Sequence, residues 1–477
     1  MNENADLTAD PYGAALDYLY SFINLEHKRM DRYMASKMDP TRPGRLLAYL
    51  GSPHEHMPAI HIAGTKGKGS VAAMCAACLR AAGLKVGLYT SPHLQEFRER
   101  IRILTADDDE GLIAEADFVY WIERLKTAVA HFPDITWFEI VTAIAFLHFA
   151  QGEVDVAVIE VGLGGRLDAT NIITPLVSVI TSLSLDHTYL LGDTLDKIAF
   201  EKGGIIKPGV PVVTAGQKPE ALEVLLNIAA EREAPVSVVG RNWQYEGEGR
   251  AADGLGRLTI TQSPDPTFIR PQTTFALALV GDHQLENAAV ALAALQIVRP
   301  RFPGLTLTAV QTGLRSTHWT GRLQIVHQAQ TTPTLLVDCA HNVDSAIKLS
   351  QALAHDFRYD RLILVFGATA DKDVTGMIPH LFALATTTIV TISSHPRAAS
   401  PSELALAARD LGFPVLVFPT VTTAVSHAWQ LAGPNDLICV TGSIFIVGDL
   451  LNEWKELERE LLSSYTSSGR LHKGAYL

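Results

Sequence analysis

One short segment constrains the fold more than any other part of the chain. The apolar run Ala59–Ala63 leads directly into the glycine-rich loop Gly64–Ser70, and a helical pattern follows over Val71–Ala82. Glycines let the backbone amides of such a loop turn towards an anion, and a helix N-terminus adds partial positive charge. The segment therefore predicts a phosphate-binding strand–loop–helix unit, with an ordinary glycine-rich turn as the alternative. It is not a standard P-loop, because Gly69 follows Lys68 where Ser or Thr is usual.

Short apolar runs alternate with helical stretches through most of the chain. Near-continuous Val and Ile runs between helices are typical of a parallel sheet that is covered on both faces. We therefore predict an α/β protein with an N-terminal parallel-sheet domain of the P-loop ATPase type and a C-terminal Rossmann-like domain. The runs are Ala59–Ala63, Lys85–Tyr89, Val154–Val161, Leu176–Thr181, Thr334–Val337, Leu362–Phe366, Thr388–Ile392, Val415–Phe418 and Leu437–Val440.

The middle of the chain interrupts this alternation. Residues 235–280 carry several glycines and prolines between short β-type runs, which predicts a few antiparallel strands appended to the first domain. A proline break at Pro300–Pro303 precedes the second α/β pattern. We expect an N-terminal domain over residues 1–305, a linker over 306–321 and a C-terminal domain over 322–477.

Composition narrows the class of partner. The chain has 39 Lys and Arg against 51 Asp and Glu, a net charge of −12. It therefore lacks the broad basic surface that duplex nucleic acid or an anionic membrane requires. The N-terminus does not resemble a signal peptide, and no apolar stretch reaches the length of a membrane span. We expect a cytoplasmic protein that, if it binds phosphates, does so locally through backbone amides and a few placed cations.

The cysteines support the same interpretation. Four cysteines are too few for a disulfide scaffold in 477 residues, so reduced thiols are expected. Cys75 and Cys78 have the spacing of a redox or zinc motif, but no second pair accompanies them. Two small residues on a buried helix face explain this spacing better.

Polar side chains follow the apolar runs at their carboxyl ends. Glu160 ends one run, Asp186 and His187 follow the next, and Asp338 and His341 follow a run in the second half. Ligands of parallel sheets bind outside this edge. A carboxylate that faces a triphosphate needs a cation between them, and Mg²⁺ is the hard, oxygen-seeking choice. A surface acid and a structural histidine remain the alternatives for Glu160 and His187.

Several sequence blocks occur together in the order typical of one enzyme family. They are HIAGTKGKGS (61–70), YTSPHL (89–94), TWFEIVTAIAF (136–146), IEVGLGGRLDATN (159–171), LDHT (185–188), EKGGIIK (201–207), GRLQ (321–324), DCAHN (338–342) and DKD (371–373). From about residue 61 onwards the chain resembles the bifunctional folylpolyglutamate synthase/dihydrofolate synthase family of the Mur ligase superfamily. The resemblance implies a monomeric ligase that uses ATP and Mg²⁺ to convert a folate or dihydropteroate carboxylate to an acyl phosphate. The amine of L-glutamate then attacks this acyl phosphate to form an amide.

The resemblance also implies roles for particular residues. The expected ATP contacts are Lys66, Gly67, Lys68, Gly69, Ser70, Asn287, Arg322 and Asp338. The expected Mg²⁺ ligands are Ser91, Glu160, His187 and, after carbamylation, Lys202. Thr136, Phe138 and Asp168 match residues that hold the pterin end of the substrate, and His341 and Ser443 would lie towards the incoming glutamate. The expected catalytic residues are Lys68, His187, Lys202 and His341.

Departures from the family pattern leave alternatives open. Lys66 stands where Asn is usual, and Thr320 and Val343 stand where Pro is usual. The poor match before His61 leaves open whether dihydropteroate, tetrahydrofolate or both are accepted. A cell-wall Mur-type amino-acid ligase is one alternative, although it would carry a uridine-binding domain ahead of the loop. A catalytically silent ATP-binding protein is the other, although it would have no need of the metal ligands.

Overall fold

The computed structural model describes residues 10–23 and 39–467, with side chains up to residue 463. Within these ranges the first domain contains a seven-stranded sheet of order β3-β2-β4-β1-β5-β6-β7. All neighbours pair in parallel except β3, which runs antiparallel to β2. The strands are β1 Ala59–Ala63, β2 Val86–Tyr89, β3 Ile101–Leu104, β4 Val156–Glu160, β5 Val177–Ile180, β6 Val212–Thr214 and β7 Val236–Val238.

Helices cover both faces of this sheet, because each face of the strands is apolar. Ile60 and Ile62 of β1 belong to the core on one face, whereas Ala59 belongs to the core on the other. Cys75 and Cys78 are buried and free in the first of these cores, as predicted. The helices of this domain are Pro11–Tyr20, Arg42–Ala48, Lys68–Ala81, Glu115–Val129, Trp137–Gln151, Thr188–Leu191, Leu195–Gly203, Pro219–Glu231, Asp282–Val298 and Leu307–Ser316.

The appended β region differs at its start from the expected residues 235–280. A three-stranded antiparallel sheet is present, formed by β8 Gln244–Glu248, β9 Gly256–Gln262 and β10 Thr273–Leu277. β7, however, pairs in parallel with β6 and extends the main sheet. The helix Pro219–Glu231 connects these two strands, and a strand–helix–strand unit of this kind places its second strand parallel to its first.

The segment expected as a linker, residues 306–321, also differs. It contains the helix Leu307–Ser316, whose residues Val310 and Leu314 are buried in the first domain's core. Gly313 allows the close approach, because a Cβ there would lie 2.4 Å from the Cα of Cys78. Only the short stretch from Thr317 to Gly321 therefore connects this helix to the second domain.

The second domain contains a six-stranded sheet, within the described residues, of order β11-β12-β16-β13-β14-β15. Its strands are β11 Gln324–Ala329, β12 Thr332–Val337, β13 Leu362–Phe366, β14 Thr387–Val390, β15 Leu416–Val417 and β16 Leu437–Thr441. Only the β11–β12 pair is antiparallel. The helices are Val343–His355, Val374–Phe382, Pro401–Asp410, Val421–Leu431 and Ile444–Ser467. Two parallel-sheet α/β domains confirm the predicted fold class.

None of the described helices combines the length and the apolar character that crossing a bilayer demands. The carboxyl ends of β1, β4 and β5 in the first domain meet the carboxyl end of β12 in the second domain at a shared cavity. The fold therefore brings the polar strand ends of both domains to one place.

Candidate active site

A cavity of about 240 Å³ lies between the two domains. It is lined by residues of the phosphate loop, of four strand ends and of the N-terminal turns of two helices. The predicted site residues in its wall are Lys66, Gly67, Lys68, Gly69, Ser70, Ser91, Glu160, His187, Lys202, Asn287, Arg322, Asp338 and His341. The structure therefore brings together all the residues expected to contact ATP or Mg²⁺.

The phosphate loop turns at Gly67, which directly precedes the helix Lys68–Ala81. Gly67 has a left-handed φ of 84°, and a Cβ there would lie 2.1 Å from Oδ1 of Asn287. Asn287 is held in place by Gln284, whose Oε1 accepts a hydrogen bond from Asn287 Nδ2 at 2.9 Å. Glycine is therefore required at position 67, and the loop presents its amides at the N-terminus of a fourteen-residue helix.

Glu160 is a buried carboxylate with little compensation from the protein. It ends β4 and is 4 % exposed, and Lys68 Nζ lies 3.8 Å from its Oε1. The backbone amide of Ser91 donates to its Oε2 at 3.4 Å. Burial raises the pKa of Glu160, and Lys68 opposes this shift only in part. A buried anion with such weak partners fits a site for a cation.

Lys202 is buried in the wall of the same cavity. It lies near the end of the helix Leu195–Gly203, is 5 % exposed and donates from Nζ to the carbonyl of Gly64 at 2.8 Å. Burial, together with the nearby charge of Lys68, lowers the pKa of Lys202 to about 7. A large fraction of this amine is therefore neutral near pH 7, and the neutral amine is the form that reacts with carbon dioxide.

His187 has an unusual backbone conformation, with a left-handed φ of 49°. Such strain in a non-glycine residue is concentrated at functional sites. Burial lowers the pKa of His187 to about 4, so its ring is neutral and has a lone pair available to a ligand. Among the described residues, no group of three or more His, Cys, Asp or Glu side chains could hold a metal ion. The predicted set is not such a group, since it combines Glu160 and His187 with Ser91 and a modified Lys202.

The second domain contributes Asp338 and His341 from the end of β12. Asp338 accepts hydrogen bonds from the amides of Leu323 and Ala340, both at 2.9 Å, so its carboxylate ties β11 to β12. His341 Nδ1 lies 2.9 Å from the carbonyl oxygen of Cys339, which can only accept. Nδ1 therefore carries the proton, and the lone pair of Nε2 faces Lys66 Nζ at 3.4 Å.

The predicted folate and glutamate contacts are engaged in local structure. Thr136 caps the helix Trp137–Gln151, and Asp168 accepts from the amides of Leu163 and Thr170 at 2.9 and 3.0 Å. Phe138 packs on the loop at Gly162, where a Cβ would lie 2.3 Å from its ring. The Oγ of Ser443 accepts from the amide of Ile446 at 3.2 Å. Along the described cavity wall, none of Thr136, Phe138, Asp168 and Ser443 is present.

Two functional candidates received no role in the sequence analysis. Asp186, which immediately precedes His187, lies 3.1 Å from Lys66 Nζ and 3.4 Å from Lys372 Nζ. Two sequence features could have indicated a role for these residues: Asp186 follows a buried strand, and Lys372 lies within the DKD block. Neither signal could reveal that these two side chains meet.

Comparisons with known proteins agree with this geometry. Two family profiles match the chain: the Mur ligase middle domain over residues 62–295, and the Mur ligase glutamate ligase domain over residues 321–444. A probable bifunctional folylpolyglutamate synthase/dihydropteroate synthase of Haloferax volcanii is 36 % identical over 417 residues, which are 86 % of this chain and 48 % of that protein. The chain thus spans about half the length of this archaeal relative.

Other relatives are covered almost completely. A dihydrofolate synthase/folylpolyglutamate synthase of Bacillus subtilis is 34 % identical over 418 residues, 87 % of this chain and 94 % of that protein. The solved structure of Mycobacterium tuberculosis folylpolyglutamate synthase complexed with ADP superposes with a TM-score of 0.80 at 33 % identity, covering 93 % of this chain and 98 % of that one. On this evidence the chain belongs to the folylpolyglutamate synthase/dihydrofolate synthase family of the ATP-dependent Mur ligases.

Proposed function

We propose that this protein uses ATP to join L-glutamate to the carboxylate of a folate or a dihydropteroate, with release of ADP and phosphate. The observation that carries the proposal is that the phosphate loop, Glu160 and Lys202 share one cavity with His341 of the other domain. Such a cavity holds a nucleotide from one side and an amino-acid substrate from the other. The acceptors are small molecules. The proposal also includes that the protein acts as a monomer, is located in the cytoplasm and does not act on nucleic acid. The four free, buried thiols fit a reducing compartment.

The first step transfers a phosphoryl group. An oxygen of the acceptor carboxylate attacks the γ-phosphorus of ATP, the bond to the β-phosphate bridging oxygen breaks, and ADP leaves. The amides that follow Gly67 and the ammonium group of Lys68 stabilise the charge on the phosphates. Closure of the two domains around the cavity keeps water away from the acyl phosphate.

The second step forms the amide bond. The amine of glutamate attacks the acyl carbon, phosphate leaves, and the amine loses a proton. His341 belongs to the second domain and its Nε2 carries a lone pair, so we assign it as the acceptor of that proton. Burial and the charges of Lys66 and Lys372 lower the pKa of His341 well below its usual value, so it would hold the proton only briefly.

We include Mg²⁺ in the proposal because Glu160 is a buried carboxylate whose nearest cation, Lys68 Nζ, lies 3.8 Å away and offsets its burial only in part. Ser91, Glu160, His187 and carbamylated Lys202 would hold the ion together with phosphate oxygens. When bound, the ion supplies neutralisation of the phosphate charge.

The proposal predicts that ADP forms only when an acceptor and L-glutamate are both present. Coupled measurement of ADP release, with dihydropteroate and tetrahydrofolate assayed in parallel, tests this dependence and shows which acceptor is used. Release of ADP at an unchanged rate without glutamate would contradict the proposal. ADP release with a uridine-linked peptide acceptor instead would favour the cell-wall ligase alternative, and nucleotide binding without any turnover would favour the silent one.

Replacing Gly67 by alanine is expected to raise the KM for ATP at least about tenfold. The left-handed backbone costs an alanine roughly 1–2 kcal/mol, and the new Cβ would lie 2.1 Å from Asn287 Oδ1, which must move. Gly83→Ala is the matched control, since Gly83 has a φ of 85° but no atom within 4 Å of its added Cβ. An equal change of the ATP KM in both variants would show that the contact with Asn287 is unimportant.

A further inference from the structure

Side chains from both domains contact the partly buried carboxylate of Asp186. Its Oδ2 accepts hydrogen bonds from Lys66 Nζ and from Asn342 Nδ2, both at 3.1 Å. Its Oδ1 accepts from Lys372 Nζ at 3.4 Å. His341 Nε2 lies 3.9 Å from Oδ2. Lys66 and Asp186 belong to the first domain, whereas His341, Asn342 and Lys372 belong to the second.

Charge explains why these groups stay together. The side chains of Asp186, Lys66 and Lys372 are only 12, 13 and 16 % exposed. Two ammonium groups at such low exposure would repel each other without the carboxylate between them. Removal of the Asp186 carboxylate would therefore leave two partly buried ammonium groups without the carboxylate that they share.

The second-domain partners follow two different strands. His341 and Asn342 follow β12, and Asn342 also caps the helix Val343–His355. Lys372 precedes the helix Val374–Phe382 beyond the end of β13. One carboxylate at the end of β5 thus holds two loops of the opposite domain against the phosphate loop.

We propose that Asp186 is a positioning residue that fixes the phosphate loop relative to the second-domain loops that carry His341 and Lys372. It acts through Lys66 on one side and through Lys372 and Asn342 on the other. This inference rests on the proposed function, because the loops it positions carry His341, the expected acceptor of the amine proton. Among the described residues, other hydrogen bonds that cross between the domains include Gln95 to Asn452, Arg250 to the carbonyl of Asp356, and Lys66 Nζ to His341 Nε2, and none of these three pairs two charged groups.

Asp186→Asn keeps the shape of the side chain but cannot neutralise two lysines. We expect the KM for glutamate to rise about tenfold or more, while the Kd for ADP stays within about threefold or becomes tighter, since Lys66 is released towards the phosphates. Lys372→Met should raise the KM for glutamate in the same direction. The double variant should be no worse than Asp186→Asn alone, because the two residues act as one pair.

Asp193→Asn is the matched control. It removes a carboxylate of the same domain that pairs with Lys197 at the surface, and such pairs contribute little. Its glutamate KM should stay within about twofold of the wild-type value. Multiplicative effects in the double variant, or a loss of ADP affinity equal to the rise in glutamate KM, would overturn the proposal.

Amide hydrogen exchange with bound ADP gives a test that does not depend on turnover. In Asp186→Asn, we expect faster deuterium uptake in the second-domain loops 339–345 and 369–374, as well as around residue 186. Faster uptake confined to the neighbourhood of residue 186 would mean that Asp186 has only a local structural role. If the wild-type protein fails to turn over any folate acceptor, the proposed function fails, and this exchange experiment still decides the role of Asp186.

Discussion

Replacing Glu160 by glutamine is expected to lower kcat at least about 10³-fold while leaving the folded protein as stable as the wild type or more stable. Glu160 is the one native carboxylate of the predicted Mg²⁺ set, and its nearest cation, Lys68 Nζ, lies 3.8 Å away. Loss of one preorganised electrostatic group at a phosphoryl-transfer site costs ~10²–10³ in kcat, and loss of a metal ligand adds to this. Steady-state turnover of both proteins tests the expected loss of kcat, and their thermal unfolding tests the expected stability.

The expected stability of Glu160→Gln follows from the sign of the pKa shift of Glu160. Burial raises the pKa of Glu160 above its value in the unfolded chain. Protonation of Glu160 therefore stabilises the folded protein. This stabilisation is fully present below the pKa that Glu160 has in the unfolded chain, and it is lost as the pH rises through the pKa that Glu160 has in the folded protein. At neutral pH the ionised side chain therefore opposes folding, and neutral glutamine removes that penalty.

Glu153→Gln is the control for this variant. Glu153 is exposed just before the other end of the same strand, and its replacement should change neither turnover nor the unfolding temperature appreciably. Near-normal turnover of Glu160→Gln would show that the site has been assigned to the wrong strand end. A large loss of stability would instead show that Glu160 is a structural residue.

The parts of this site that sequence could predict are those that depend on local pattern. The glycine loop lies between a strand and a helix that are both recognisable from their apolar residues. Glu160 and His187 follow buried runs, and the parallel sheet alone brings such ends to one edge. The cavity gathers these residues because strand direction, which the helix crossovers determine, is shared by the whole sheet.

Long-range pairing could not be predicted in the same way. Lys372 is 186 residues from Asp186, and His341 is 275 residues from Lys66, in a separate domain. No periodicity reports how two domains are oriented against each other. The sequence predicts a linker where helix Leu307–Ser316 lies for a related reason, since the packing of this helix on Cys78 is visible only in three dimensions.

The pterin-side residues illustrate a different limit. Thr136 and Asp168 match family positions, yet the oxygens of both side chains are used by nearby backbone amides. A helix cap and a substrate contact draw on the same residue types, because both need a short oxygen-bearing side chain. Sequence alone therefore does not distinguish a helix cap from a substrate contact at such a residue.

Replacing Lys202 by methionine is expected to lower kcat about 10³-fold, whereas Lys202→Glu should retain clearly more activity than Lys202→Met. The expected active form of Lys202 is a carbamate, an anion, and glutamate restores an anion although on a shorter chain. The lowered pKa of about 7 makes the neutral amine abundant at physiological pH, which is what carbamate formation requires. Because the fraction of neutral amine falls as the pH drops below 7, activation by bicarbonate should weaken there in the wild type and should be absent in both variants.

Nuclear magnetic resonance of the protein in isotopically labelled bicarbonate gives the direct readout, a carbamate carbonyl signal that disappears in Lys202→Met. An active wild-type protein without that signal would leave Lys202 as an unmodified amine that supports the loop through the carbonyl of Gly64.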